Sequence, residues 1–109
     1  MDRTLVLIAN FPDRPSAEAF ARTLLEERLA ACVNLLAPCT SMYRWNAQVE
    51  TAEEIPVLVK TRESLYGSVE RTLCRLHPYE VPELLALPVA AGLPAYLQWI
   101  AAETGEAQA

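Results

Sequence analysis

A chain of 109 residues, 52% hydrophobic and 21% charged, has the size and composition of one compact domain with a self-sufficient core. Its net charge of −5 excludes sequence-independent binding to nucleic acid or to an anionic membrane, because both need a basic footprint. The three cysteines, Cys32, Cys39 and Cys74, form no CxxC pair. That leaves out zinc ribbons and thioredoxin-type redox motifs and points to a reducing, cytoplasmic location.

The stretch from Arg3 to Asn10 is rich in Leu, Val and Ile, as a buried strand should be. It resembles a signal peptide only superficially. Its apolar run is short, Asp2 precedes it, and Pro12-Asp13-Arg14 follows in place of a small-residue cleavage site. After the turn at Pro12 to Pro15, Ser16 as N-cap or Pro15 in the first turn opens a helix. The helix runs to about Ala30, with Ala17, Phe20, Ala21, Leu24, Leu25 and Leu29 on one face.

Cys32 to Arg44 is extended, with an interruption at Pro38 that implies an edge strand or a bulge. Trp45 to Gln48 turns a hairpin, and Val49 to Lys60 returns. Tight hairpins need positive φ and favour glycine, so Asn46-Ala47 implies a longer or differently shaped turn than a two-residue loop. Thr61 to Leu76 forms a second helix, with Ser64 as a capping residue and Leu65, Val69, Leu73 and Leu76 facing inward. The two prolines of His77 to Pro82 forbid regular helix. Glu83 to Val89 is a last strand, and Pro94 to Glu103 a short helix. Leu84 to Ala102 carries no charge, but Pro88, Gly92 and Pro94 divide it, so it does not read as a membrane span.

This order predicts an α+β, ferredoxin-like βαββαβ two-layer sandwich with an extra C-terminal helix and a long central hairpin. One domain covers residues 1–103, and 104–109 form a flexible tail. The hairpin is too long for such a domain. Cys32 to Arg44 alone would span roughly 40 Å, against a radius of gyration of about 13 Å for a chain of this size. Its tip carries Tyr43, Trp45 and Val49, and its edges are open. Pairing with a neighbouring subunit satisfies both; the alternative is a hairpin that bends back at Pro38.

The residues now resemble a known family. Glu26 to Asn34 (EERLAACVN), Thr40 to Trp45 (TSMYRW), Lys60-Thr61-Arg62, His77 to Glu83 (HPYEVPE), Leu87-Pro88-Val89 and Tyr96 to Ile100 follow in order over Leu5 to Ile100. This is similar to the CutA divalent-cation tolerance proteins. The resemblance implies a homotrimer organised like the PII signalling proteins, a link to copper and other divalent cations, and no catalytic activity. No required cofactor comes with it.

His77 is the only histidine and the best available ligand for Cu²⁺ or Zn²⁺. Glu80 and Cys32 are the residues that would join it. Metal-binding members of the family also use a cysteine near the end of the first strand, but Ile8 to Pro12 holds no thiol. The other reading of His77 is a turn residue bonded to backbone, and the other reading of Cys32 is a core thiol. Lys60, Arg62 and Tyr79 are the candidates for an inter-subunit cleft that takes an anionic ligand, as in PII-like trimers. Lys60 reads equally as half of a structural ion pair. No Ser-His-Asp set, phosphate loop, HExxH or paired-carboxylate signature points to an enzyme.

Overall fold

The computed structural model describes residues 2–106. Its elements are β1 (Thr4–Phe11), α1 (Arg14–Glu26), β2 (Cys32–Leu35), β3 (Cys39–Trp45), β4 (Gln48–Arg62), α2 (Tyr66–Leu76), β5 (Leu84–Pro88) and α3 (Pro94–Glu103), with a 3-10 turn at Glu63–Leu65. The strands lie in the order β2-β4-β1-β5, every neighbouring pair antiparallel. This is the ferredoxin-like arrangement expected from the sequence.

Alternation along the strands builds two unlike faces. Leu5, Leu7, Ala9 and Phe11 of β1 and Ile55, Val57 and Val59 of β4 are buried in one core with Ala17, Phe20 and Leu24 of α1 and Val69 and Leu73 of α2. Phe11 and Phe20 meet there with ring centroids 5.1 Å apart. The opposite face carries a second apolar set. Across the sheet, Leu85 pairs with Ile8 and Ile8 with Leu58; one step along, Leu87 pairs with Val6 and Val6 with Lys60. Leu85 and Leu87 remain 57% and 51% exposed on that face.

The ends of the elements differ from the sequence expectation for local reasons. Asp13, not Ser16, caps α1: its carboxylate accepts the Ser16 backbone N–H at 2.8 Å, and Pro15 lies in the first turn. The helix stops at Glu26, short of Ala30, because Arg28 takes a left-handed conformation (φ 57°) and Leu29 N–H closes back on the Leu24 carbonyl. The β4 strand runs on through Arg62, so Thr61 belongs to the sheet and its hydroxyl donates to the Leu29 carbonyl at 2.6 Å. Ser64 caps no helix. It is held by the Asp2 carboxylate through both its N–H and its hydroxyl.

The hairpin does not bend back at Pro38. Leu36 to Pro38 splits the extended segment into β2 and β3, and both pair with β4, which at 15 residues serves the body and the projecting arm together. The arm makes the molecule 50 Å long and 23 Å thin, with a radius of gyration of 14.6 Å. At its tip Trp45 pairs directly with Gln48, so the loop is two residues after all. Asn46 and Ala47 both take positive φ, at 50° and 63°. Alanine fills a position that glycine would fill without strain.

At the C-terminus the expected tail starts too early. Thr104 is buried, and Arg62 donates to its hydroxyl at 2.7 Å and its carbonyl at 2.9 Å. Gly105 N–H bonds the Arg28 carbonyl, and Arg28 returns a bond to the Gly105 carbonyl. Residues 107–109 lie outside the described residues. Among the described residues no helix is long and apolar enough to cross a membrane.

Candidate functional site

The proline-rich loop after α2 places His77. The helix ends at Leu76, since Pro78 pushes the residue before it to extended backbone; His77 adopts φ −81°, ψ 135°. Its ring is buried between Phe11, at 4.5 Å between centroids, and Tyr79, at 4.8 Å. Both ring nitrogens are occupied. The Asn10 carbonyl can only accept, so Nε2 carries the proton and donates to it at 2.6 Å. Nδ1 then accepts the Tyr79 N–H at 3.1 Å. The histidine is a clasp that ties the loop to the end of β1.

His77, Glu80 and Cys32 do not converge within the chain. Cys32 stands level with Lys60 and Val6, whereas His77 reaches Asn10, about 13 Å further along β1 at the usual strand rise. Among the described residues no three His, Cys, Asp or Glu side chains are grouped to hold a metal ion. The residues present therefore do not fit a metal site inside one subunit. Cys32 has the Asn34 side-chain oxygen at 3.9 Å, and the Tyr96 hydroxyl is raised above its ordinary pKa first by burial and then by that thiol.

Lys60, Arg62 and Tyr79 do not share a cleft in the single chain either. Lys60 bonds the Asn34 side chain. Arg62 is taken up by Asp2, at 3.0 Å, and by Thr104. Tyr79 lies beyond the far end of β1, against His77.

What the loop and the arm do form is a groove of about 700 Å³. Tyr43 and Trp45 of β3 and Glu50 and Glu54 of β4 share one face of the arm, because Tyr43 pairs with Glu50 and Cys39 with Glu54 in register. Tyr79, Glu80 and Glu83 face them from the loop. Asn10 closes the end of the groove and donates its amide to Glu83 at 2.9 Å. Val49 points to the other face of the arm and is 65% exposed. The Tyr79 hydroxyl is pushed above its ordinary pKa, first by burial and then by the nearby Glu54 carboxylate. Of these residues the sequence reading had singled out Tyr43, Trp45, Tyr79 and Glu80 and missed Asn10, Glu50, Glu54 and Glu83. The alternation Glu50, Ala52, Glu54 opposite Tyr43 was the available signal.

Proteins similar to this chain in sequence and geometry are described as CutA proteins. The profile of a family described as "CutA1 divalent ion tolerance protein" matches residues 5–103. The Thermus thermophilus divalent-cation tolerance protein CutA is 42% identical over 92% of this chain and 97% of its own length. The mouse protein CutA is 43% identical over 82% of this chain, which spans only half of that longer protein. The crystal structure of CutA from Xylella fastidiosa superposes with a TM-score of 0.91 at 44% identity, covering 94% of this chain and 99% of that one.

Proposed function

Because the chain belongs to the CutA1 divalent ion tolerance family, we propose that it serves divalent-cation tolerance, copper included, as a non-catalytic homotrimer in a reducing cytoplasm. The observation that carries the assembly is the uncovered apolar face. Leu85, Ile8 and Leu58 form one row across three strands, and Leu87 and Val6 a second across two. An exposed row of this kind marks an interaction surface. The outer edges of β3 and β5 support the same reading, since an unpaired strand edge invites pairing with another chain. The exposed Tyr43 and Trp45 extend the apolar surface along the arm, and Val49 adds an exposed apolar side chain on the arm's other face. The three unpaired cysteines favour a reducing compartment.

The metal role follows from the family and not from a ligand set in this chain, because both nitrogens of His77 are engaged. Tolerance is thus assigned to the assembly as a whole. A PII-like sensor of anionic ligands is the less favoured reading, since Arg62 is already engaged by Asp2 and Thr104 and the groove beside the arm is acidic. Light scattering on the eluting protein tests the assembly. Wild type is expected at about three times the 12.1 kDa chain mass, and Leu85→Asp at the mass of one chain. Wild type eluting as a monomer would refute the proposal.

A further inference from the structure

The two hydrogen bonds of the buried His77 ring suit only one of its charge states. Nε2 donates to the Asn10 carbonyl at 2.6 Å, and Nδ1 accepts the Tyr79 N–H at 3.1 Å. A second proton has no place but Nδ1. There it would point at the Tyr79 N–H, donor against donor, and would leave a charge withdrawn from water.

The same ring governs how the loop from His77 to Glu83 is held. His77 is the one buried residue of that loop, and Pro78 to Val81 are exposed. A segment with so little buried surface opens locally at low cost. Asn10 grips it at both ends, through its carbonyl to His77 and through its amide to Glu83 at 2.9 Å. Between these points the Tyr79 hydroxyl reaches the Glu54 carboxylate of β4. Charged and titratable groups come from each neighbouring element. Asp13 at the start of α1, Tyr43 of β3 and Glu54 of β4 all act on the Tyr79 hydroxyl. Glu80 and Glu83 belong to the loop, and Arg75 to the last turn of α2. Among the described residues none of these carboxylates is held in an ion pair. The surrounding charges fix the pH at which the proton arrives; the hydrogen bonds fix what it does to the loop.

We propose that the loop from His77 to Glu83 is an acid-released clasp. The neutral imidazole holds the loop closed over Glu54; a proton taken from solvent onto Nδ1 breaks the Tyr79 bond and turns ring and loop out to water. The closed loop thus belongs to pH above the range in which this ring titrates and is lost as the pH falls through it. One chain supplies every part of the clasp, so the proposal does not depend on the trimer.

NMR on the full chain, titrated from about pH 7.5 to about pH 5 across the ordinary imidazole range, tests the proposal. Imidazole nitrogen shifts read the charge of His77, the only histidine, and amide exchange reads the loop. The protection factor of the Tyr79 amide is expected to fall about tenfold or more, as when a hydrogen bond is lost to an unpaired group, with the same midpoint as the ring. Leu7 and Val59, paired in the sheet, are expected to keep theirs. His77→Gln takes up no proton, so its loop protection, whatever its level, is expected to be independent of pH over this range. Tyr79 protection that persists beside a protonated ring would overturn the proposal. So would a ring that stays neutral throughout the titration. A loop transition retained in folded His77→Gln would also overturn it, and would assign the transition to the carboxylates.

Discussion

Replacing Ala47 by glycine should stabilise the protein, against the usual direction for glycine substitutions. Trp45 pairs with Gln48, so the whole reversal of the arm is made by Asn46 and Ala47, at φ 50° and 63°. A left-handed conformation costs a residue with a β-carbon roughly 1–2 kcal/mol, and the added freedom of glycine in the unfolded chain returns roughly 0.4–1 kcal/mol of that. The net gain for Ala47→Gly is therefore about 0.5–1 kcal/mol per chain. By the usual scaling for a domain of this length, it appears as a rise in melting temperature of about 2–6 °C. Differential scanning calorimetry at one fixed protein concentration measures it, since association makes the midpoint concentration-dependent. Asn46→Ala is the companion variant. Asparagine tolerates the left-handed region better than alanine, so this change should lower stability. A melting temperature that falls for Ala47→Gly while the secondary structure stays intact would refute the two-residue turn.

The remaining predictions concern the clasp and the N-terminal carboxylate of Asp2. His77→Ala removes a buried ring and two hydrogen bonds and should cost about 2–4 kcal/mol in denaturant unfolding, while a Cu²⁺ titration of the folded variant matches wild type. A Cu²⁺ isotherm lost in that variant would show that the imidazole serves metal in spite of its occupied nitrogens. Asp2 is held below the ordinary carboxylate pKa, first by the Ser64 hydroxyl and then, against the opposing effect of burial, by the Ser64 N–H and Arg62. A lowered folded pKa stabilises fully above the unfolded value, near pH 4, and that contribution disappears as the pH falls through the folded value. Asp2→Asn should therefore flatten the acid limb of the stability curve below about pH 4 and leave its neutral shape unchanged.

Much of the fold was legible because it is local. The alternation of β1, the amphipathic stripe of α1 and the proline that opens α3 each sit within a few residues of the structure they cause. The over-long hairpin was legible too, by comparing its reach with the size of the domain. The boundaries that shifted were set by distant partners. Arg62 stays in β4 with Thr104 and Asp2 as its neighbours, residues 42 and 60 positions away. Asp13 was missed as the cap because Ser16 suits that role as well, and only the direction of the bond between them decides it. The turn at Ala47 gave no local sign, since alanine is the residue that sequence preference argues against there.

The site was less legible for a related reason. Histidine offers the same imidazole whether it binds metal or backbone, and the partner that decides the matter, the Asn10 carbonyl, lies 67 residues away. Glu54 reads in sequence as a surface charge on a strand. Its burial arises only when the loop after α2 is closed over the arm, by contacts that no periodicity encodes. Tyr79, placed at first beside Lys60, goes with the acidic groove because the His77 clasp fixes the loop to the far end of β1.

The central claim is that the apolar sheet face is covered by two further copies of the same chain. Sedimentation equilibrium across a dilution series into the micromolar range tests it most directly. The predicted result is one species at about three times the 12.1 kDa chain mass at every concentration. A chain that sediments as a monomer, with Val6, Ile8, Leu58, Leu85 and Leu87 left to water, would contradict it.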